Sequence, residues 1–170
     1  MATRGTRFVA FLRAINVGPK GSKGRIPMAD MRARTEALGY EDVSTYIQTG
    51  NILLTSSDSA KKVTKALEAE FDTPTFVLTP AQLRKAAKDN PLHQPGWRTH
   101  LMFCDGAPKT AALEEKGGDQ YSFAAKGRVL YFAFPEELAG QRRQLDFERL
   151  AGVKGTGRSA KVVGEIIEKL

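Results

Sequence analysis

An unbroken apolar run at residues 8–12 (Phe-Val-Ala-Phe-Leu) restricts the fold of this chain more than any other feature. A strand with one solvated face alternates apolar with polar residues, whereas a strand covered on both faces does not. The run therefore predicts a central strand of a sheet. A glycine-rich basic segment follows at residues 13–27, and Pro27 is expected in the first turn of the next helix. The residues at helical spacing in that helix are Met28, Met31, Thr35 and Leu38.

The order of strands and helices predicts two similar halves. Strands are predicted in the first half at residues 8–12, 43–47, 51–55 and 75–78, with helices after the first and third. This βαββαβ order is that of a ferredoxin-like unit. The same order returns with strands at residues 100–104, 121–124, 129–134 and 153–156. The sequence thus predicts an α+β protein of two ferredoxin-like units in tandem, with a connecting helix and an extra C-terminal helix.

The predicted boundaries follow from turn signals between these patterns. The first unit, with the basic glycine-rich loop, is expected at residues 1–78. Thr79-Pro80 opens a connecting helix and loop at residues 79–98, because proline is favoured in a first helical turn. The second unit and its C-terminal helix are expected at residues 99–170.

Topology predicts one candidate site at the end of the first sheet. With the strand order 4-1-3-2 and antiparallel neighbours, the loop leaving strand one emerges beside the turn between strands two and three. This arrangement would bring polar and basic side chains from residues 13–25 and 48–51 to the same end of the sheet. The candidate ligand-binding residues there are Arg13, Asn16, Lys20, Lys23, Arg25, Gln48 and Asn51.

The distribution of charge favours an anionic partner. The net charge is +7, with six basic and no acidic residues at positions 1–29 and nine basic against six acidic at positions 126–170. Arg142 and Arg158 are further candidates, since Arg158 precedes the last helix and helix N-termini attract anions. Two other interpretations stay open: a charge excess that only solubilises the surface, and a solvated helix start capped by Ser159.

Several classes of site and location are disfavoured. His93, His100 and Cys104 do not match a zinc signature, so no metal or cofactor is predicted, and Cys104 is expected to be a packed thiol. Tyr131, Phe132 and Phe134 are expected in the core instead of stacking on RNA bases. A single cysteine and the lack of a signal peptide or an apolar run of about 18 residues predict a cytoplasmic protein without membrane contact.

Three stretches resemble a known family: residues 12–18 (LRAINVG), 26–30 (IPMAD) and 45–51 (TYIQTGN). They are similar to domain-of-unknown-function family 1697, a group of uncharacterised bacterial proteins. The resemblance implies a pair of ferredoxin-like units and no activity. The chain departs from the family's pattern at Ala14, where glycine is usual, and in a longer, more basic segment at residues 19–24. Near the C-terminus, residues 156–160 (TGRSA) keep the threonine and arginine of the family's Thr-Ala-Arg-Asn-Trp and lose the Asn-Trp pair.

These features favour a non-catalytic binding module for an anionic ligand, either a phosphorylated molecule or nucleic acid. Nucleic acid would be bound weakly and without sequence preference, through phosphate contacts. The alternative is a small-molecule enzyme with a polar site at the end of the first sheet. An anion-binding module is expected to show steep salt dependence of binding, whereas a small-molecule enzyme is expected to have a concave pocket.

Overall fold

The computed structural model describes residues 5–13, 16–17, 25–47 and 50–170, and of residues 16, 17 and 25 only the backbone. The described residues form two four-stranded antiparallel sheets, one short parallel bridge and six α-helices. The chain divides into two compact units, residues 1–83 with Leu170 and residues 84–169. The division falls within one helix.

The first unit contains one four-stranded sheet, the short bridge and two helices. Its elements are β1 (Thr6–Leu12), β2 (Asn16–Val17), β3 (Arg25–Ile26), α1 (Met28–Ala37), β4 (Glu41–Thr45), β5 (Asn51–Ser56), α2 (Ala60–Phe71) and β6 (Thr75–Leu78). The strand order is β4-β5-β1-β6, and every neighbouring pair is antiparallel. The apolar run of β1 therefore lies in a central strand, as predicted.

The core of the first unit lies between one face of this sheet and the two helices. In α2, Val63, Leu67 and Phe71 recur at helical spacing and are buried, and Ser59 caps the helix by accepting a hydrogen bond from the backbone N–H of Lys62 (3.2 Å). In α1, Met31 and Thr35 are buried at the predicted helical spacing, whereas Leu38 is the C-cap residue and is 37% exposed.

The second unit begins within α3 (Pro80–Lys88) and contains the other sheet. Its remaining elements are β7 (Trp97–Cys104), α4 (Ala111–Gly117), β8 (Ser122–Lys126), β9 (Val129–Pro135), α5 (Phe147–Ala151), β10 (Gly155–Ser159) and α6 (Ala160–Ile167). The strand order β10-β7-β9-β8, with antiparallel neighbours, matches the order of the first sheet.

Local hydrogen bonds define the ends of α5, and β10 begins later than the sequence predicts. Asp146 caps α5 by accepting from the backbone N–H of Arg149 (3.2 Å), and Gly152 ends it in the left-handed conformation (φ 73°). Lys154 and Asp105 exchange hydrogen bonds of 2.9 and 3.0 Å just before the paired residues of β10, which begin at Gly155. The strand extends to Ser159, which caps α6 by accepting from the backbone N–H of Val162 (3.2 Å).

One face of the second sheet carries an aromatic core under α4 and α5. Leu130, Phe132 and Phe134 of β9 alternate on this face and are buried, while Tyr131 lies on the other face. Tyr131 donates to the backbone oxygen of Ala86 in α3 (2.6 Å). The predicted assignment of these rings to the core is confirmed. In the ranges that the structure describes, no helix is long and apolar enough to cross a membrane.

Candidate functional site

The end of β1 is tied to two neighbouring loops. The backbone N–H of Leu12 donates to the oxygen of Gly50 (2.9 Å), which lies in the turn between β4 and β5. The next N–H, that of Arg13, donates to the oxygen of Pro74 (2.9 Å), and the hydroxyl of Thr73 donates to the oxygen of Arg13. The exit of the first strand and the β4–β5 turn therefore meet at one end of the sheet, as the predicted strand order requires.

Asn51 closes this turn. Its side chain is fully buried, and its Nδ2 donates to the backbone oxygen of Tyr46 (2.9 Å), while the backbone N–H of Tyr46 donates to the oxygen of Asn51 (3.2 Å). Gly50 and Ile47 both have positive φ angles, 76° and 46°. A β-branched residue such as Ile47 rarely adopts a positive φ angle. The amide of Asn51 therefore helps to hold a turn whose backbone conformation is unfavourable for Ile47.

The remaining candidates at this end are described only in part. The backbones of Asn16 and Arg25 pair in the parallel bridge between β2 and β3, which brings these two positions together. Lys20, Lys23 and Gln48 lie outside the described residues. The convergence of Asn16 with Gln48 and Asn51 stays a prediction.

Arg158 lies in a buried setting. Its side chain is only 7% exposed, and its Nη1 donates to Thr156 Oγ1 (2.7 Å) and to the backbone oxygen of Gly157 (2.8 Å). Burial lowers the pKa of the Arg158 guanidinium to about 10. The sequence suggests an exposed turn before α6. Because β10 extends to Ser159, this residue instead belongs to a paired strand, opposite Leu101 of β7.

Arg142 is a partly exposed candidate that lies against an aromatic ring. Its guanidinium carbon lies 4.2 Å from the centre of the Phe134 ring, and its Nη1 donates to the backbone oxygen of Ala139 (3.0 Å). The adjoining Arg143 is fixed by three bonds of 2.7 to 2.8 Å, to Gln120, Tyr121 and Lys116. This anchoring holds Arg142 over the ring, although its segment has no regular secondary structure.

His100 stacks on the same aromatic group. Its ring centre lies 5.4 Å from that of Phe134 and 5.0 Å from that of Phe132. Its Nδ1 is buried and has no hydrogen-bond partner among the described residues. Burial, followed by the positive charges of Arg142 and Arg98, lowers the pKa of His100 to about 4. At neutral pH the imidazole is therefore uncharged.

Arg98 completes the group. It lies two residues before His100 on the same face of β7 and is the cross-strand partner of Phe134. Its Nη2 bonds to Glu136 Oε1 (2.9 Å) in an exposed ion pair. We call Arg98, His100, Arg142 and the ring of Phe134 the Phe134 cluster. It contains three basic side chains, and Glu136 is the acid paired with one of them.

Sequence reasoning found Arg142 but missed Arg98 and His100. The spacing of Arg98 and His100 places them on one strand face, and this signal was available. Their positions opposite Phe134 and Phe132, respectively, depend on the register between β7 and β9, which the sequence does not reveal. Cys104, on the same strand, is buried, and burial raises the pKa of its thiol to about 12, as expected of a packed thiol. The parts of the chain that are described hold no group of three or more His, Cys, Asp or Glu residues able to bind a metal.

The fold and the Phe134 cluster define a mixed α/β protein with two four-stranded antiparallel sheets and a basic, aromatic-backed cluster on the second. The family model described as "Protein of unknown function (DUF1697)" matches residues 6–131, so the chain belongs to this family.

One solved structure, described as a conserved bacterial protein SP0830 from Streptococcus pneumoniae, shares the fold. It has a TM-score of 0.71 and 24% sequence identity, and the alignment covers 96% of this chain and 97% of that one. No curated protein matches.

Proposed function

We propose that this protein is a non-catalytic binding module for an anionic ligand and that the Phe134 cluster binds that ligand. The observation that carries the proposal is that His100 and Arg142 contact one buried ring, that of Phe134, and that Arg98 lies opposite Phe134 on the neighbouring strand. The scaffold is a tandem of ferredoxin-like units, with domains at residues 1–78 and 99–170 joined by residues 79–98. The single cysteine supports a reducing, cytoplasmic setting.

The physical setting favours an anion. An arginine presents several N–H groups in a planar fork that suits carboxylate and phosphate oxygens. Stacking on Phe134 restrains the guanidinium of Arg142, so less side-chain entropy is lost on binding. The positive charge of Arg142 is partly buried, and electrostatic attraction is stronger there than in bulk water.

Replacing Arg142 with methionine is expected to weaken the binding of inorganic phosphate about 10- to 100-fold, which corresponds to one charged hydrogen bond. Methionine keeps apolar contact with Phe134, so the fold should be retained. Arg149→Met is the matched control, because Arg149 is exposed and pairs with Asp146 outside the cluster. Isothermal titration calorimetry at low and at physiological salt measures both variants.

Equal affinities of the wild type, Arg142→Met and Arg149→Met would contradict this function. So would the absence of phosphate binding at low salt, which would leave the polar end of the first sheet as the remaining candidate. Denaturation curves of all three proteins check that the variants remain folded.

A further inference from the structure

Glu136 already offers a carboxylate to the Phe134 cluster. It is the first residue after β9, and its backbone N–H donates to the oxygen of Gly96 (2.9 Å), just before β7. Its position is therefore fixed by both strands that carry the cluster. The side chains of Glu136 and Arg98 are 65% and 46% exposed, yet they meet at 2.9 Å.

From this arrangement, and resting on the function proposed above, we infer that the ligand is a single compact oxyanion. It would be a carboxylate or phosphate group, and Glu136 would be its resident competitor for Arg98. The ligand would take the place of the Glu136 carboxylate on Arg98 and gain Arg142 and His100 as additional donors.

The compactness of the ligand follows from the arrangement around one ring. Arg142 and His100 both contact Phe134, at 4.2 and 5.4 Å from its centre, and Arg98 pairs with the same residue across the strands. The charges of Arg98 and Arg142 both act on the His100 ring, so one oxyanion beside that ring would interact with all three side chains. A run of nucleic-acid phosphates instead requires cations repeated along a groove, together with exposed rings for base stacking. Phe134 is fully buried and Phe132 is 8% exposed, so neither offers an open stacking face.

His100 contributes a neutral donor. A proton on its buried Nδ1 would be a donor without an acceptor, and such orphaned donors are rare. The Nε2–H tautomer is therefore favoured, and Nε2–H is the group that the ring would donate to a ligand. Because the pKa of His100 is about 4, the ring donates this hydrogen bond at neutral pH without first taking up a proton.

Displacing the Glu136 carboxylate from Arg98 costs little free energy. An exposed ion pair contributes little to stability, because water and salt screen it and two flexible side chains must be ordered. Arg98 keeps an anionic partner when the ligand arrives, while the charge of Glu136 repels the ligand as it approaches. The affinity is thus expected to be set partly by this competition.

Glu136→Gln tests the competition. The amide keeps the size of the side chain and removes its charge, so binding of inorganic phosphate and of acetate should tighten about three- to tenfold. Glu137→Gln is the matched control: it changes the net charge equally, on an adjacent exposed residue that is not the partner of Arg98. Calorimetry gives the affinities, and the NMR signals of the His100 ring locate binding at the cluster.

The outcomes separate this inference from the proposed function. Tightening in Glu136→Gln but not in Glu137→Gln supports the inference, and the ratio of acetate to phosphate affinity identifies the preferred group. Equal tightening in both variants, or none in a protein that binds phosphate through Arg142, overturns the inference and leaves the function intact. Much tighter binding of oligothymidylate than of phosphate, with steep salt dependence, also overturns it. If the wild type does not bind phosphate, both the inference and the proposed function are overturned.

Discussion

Lowering the pH from neutral to about 4.5 is expected to destabilise the wild type by about 2 kcal/mol more than a His100→Gln variant. Folding lowers the pKa of His100 from 6.5 to about 4, because the half-buried ring lies on Phe132 and Phe134 near two arginines. Between these two pH values the unfolded chain binds a proton that the folded protein does not. Stability is therefore lost as the pH falls through this window, and the loss attributable to His100 is complete below it.

Urea denaturation at several pH values measures this difference, and the carboxyl groups common to both proteins cancel in the comparison. The charged and titratable groups around the imidazole are Arg98, Arg142, Glu136 and Tyr121. An NMR titration of the ring gives its pKa directly. The His93→Gln variant leaves a single histidine and so assigns the signal. Parallel loss of stability in wild type and His100→Gln would show that the folded imidazole protonates as readily as the unfolded one.

Gly155→Ala is expected to destabilise the protein by about 1–3 kcal/mol, the usual range for overpacking. A Cβ at this position would lie 2.6 Å from the backbone oxygen of Phe103 and 2.8 Å from Met102 Cε. The backbone oxygen cannot turn away without moving β7, with which β10 is paired. The cost is thus a strain between two strands and not only a rotamer change.

Gly164→Ala is the control for Gly155→Ala. Gly164 lies in α6, and a Cβ there meets nothing within 4 Å. Alanine at an open helical position is expected to stabilise the protein by up to about 1 kcal/mol. The midpoints and slopes of urea denaturation compare both variants with the wild type. A stability of Gly155→Ala within about 0.5 kcal/mol of the wild type would contradict the close approach of the two strands.

The sequence predicted those elements whose signals are local. The stripe of Val63, Leu67 and Phe71 repeats at the period of one helix, and Ser59 and Ser159 satisfy N–H groups three residues away. These interactions depend on neighbours in the chain, so pattern and capping rules apply directly. Proline, likewise, was correctly expected at the start of α1, but Pro27 is the N-cap instead of a residue of the first turn.

The candidate site was predicted less completely. Arg142 was chosen for its charge alone, and its contact with Phe134 depends on bonds that anchor the adjoining Arg143 to Gln120, Tyr121 and Lys116. Arg158 was misjudged as part of an open helix start. The strand β10 extends to Ser159 and pairs with β7, which places Arg158 in a buried strand position.

By itself, the sequence determined the central position of β1 and the order of the helices and strands. It also determined the resemblance of three stretches between residues 12 and 51 to a known family. An apolar run without alternation can be satisfied only where both faces are covered. Only the tertiary structure decided that Arg98, His100 and Arg142 surround Phe134. Those contacts depend on the register of β7 against β9 and on a loop held by side-chain hydrogen bonds. A slip of one residue would turn Arg98 and His100 to the opposite face, and no local pattern encodes that choice.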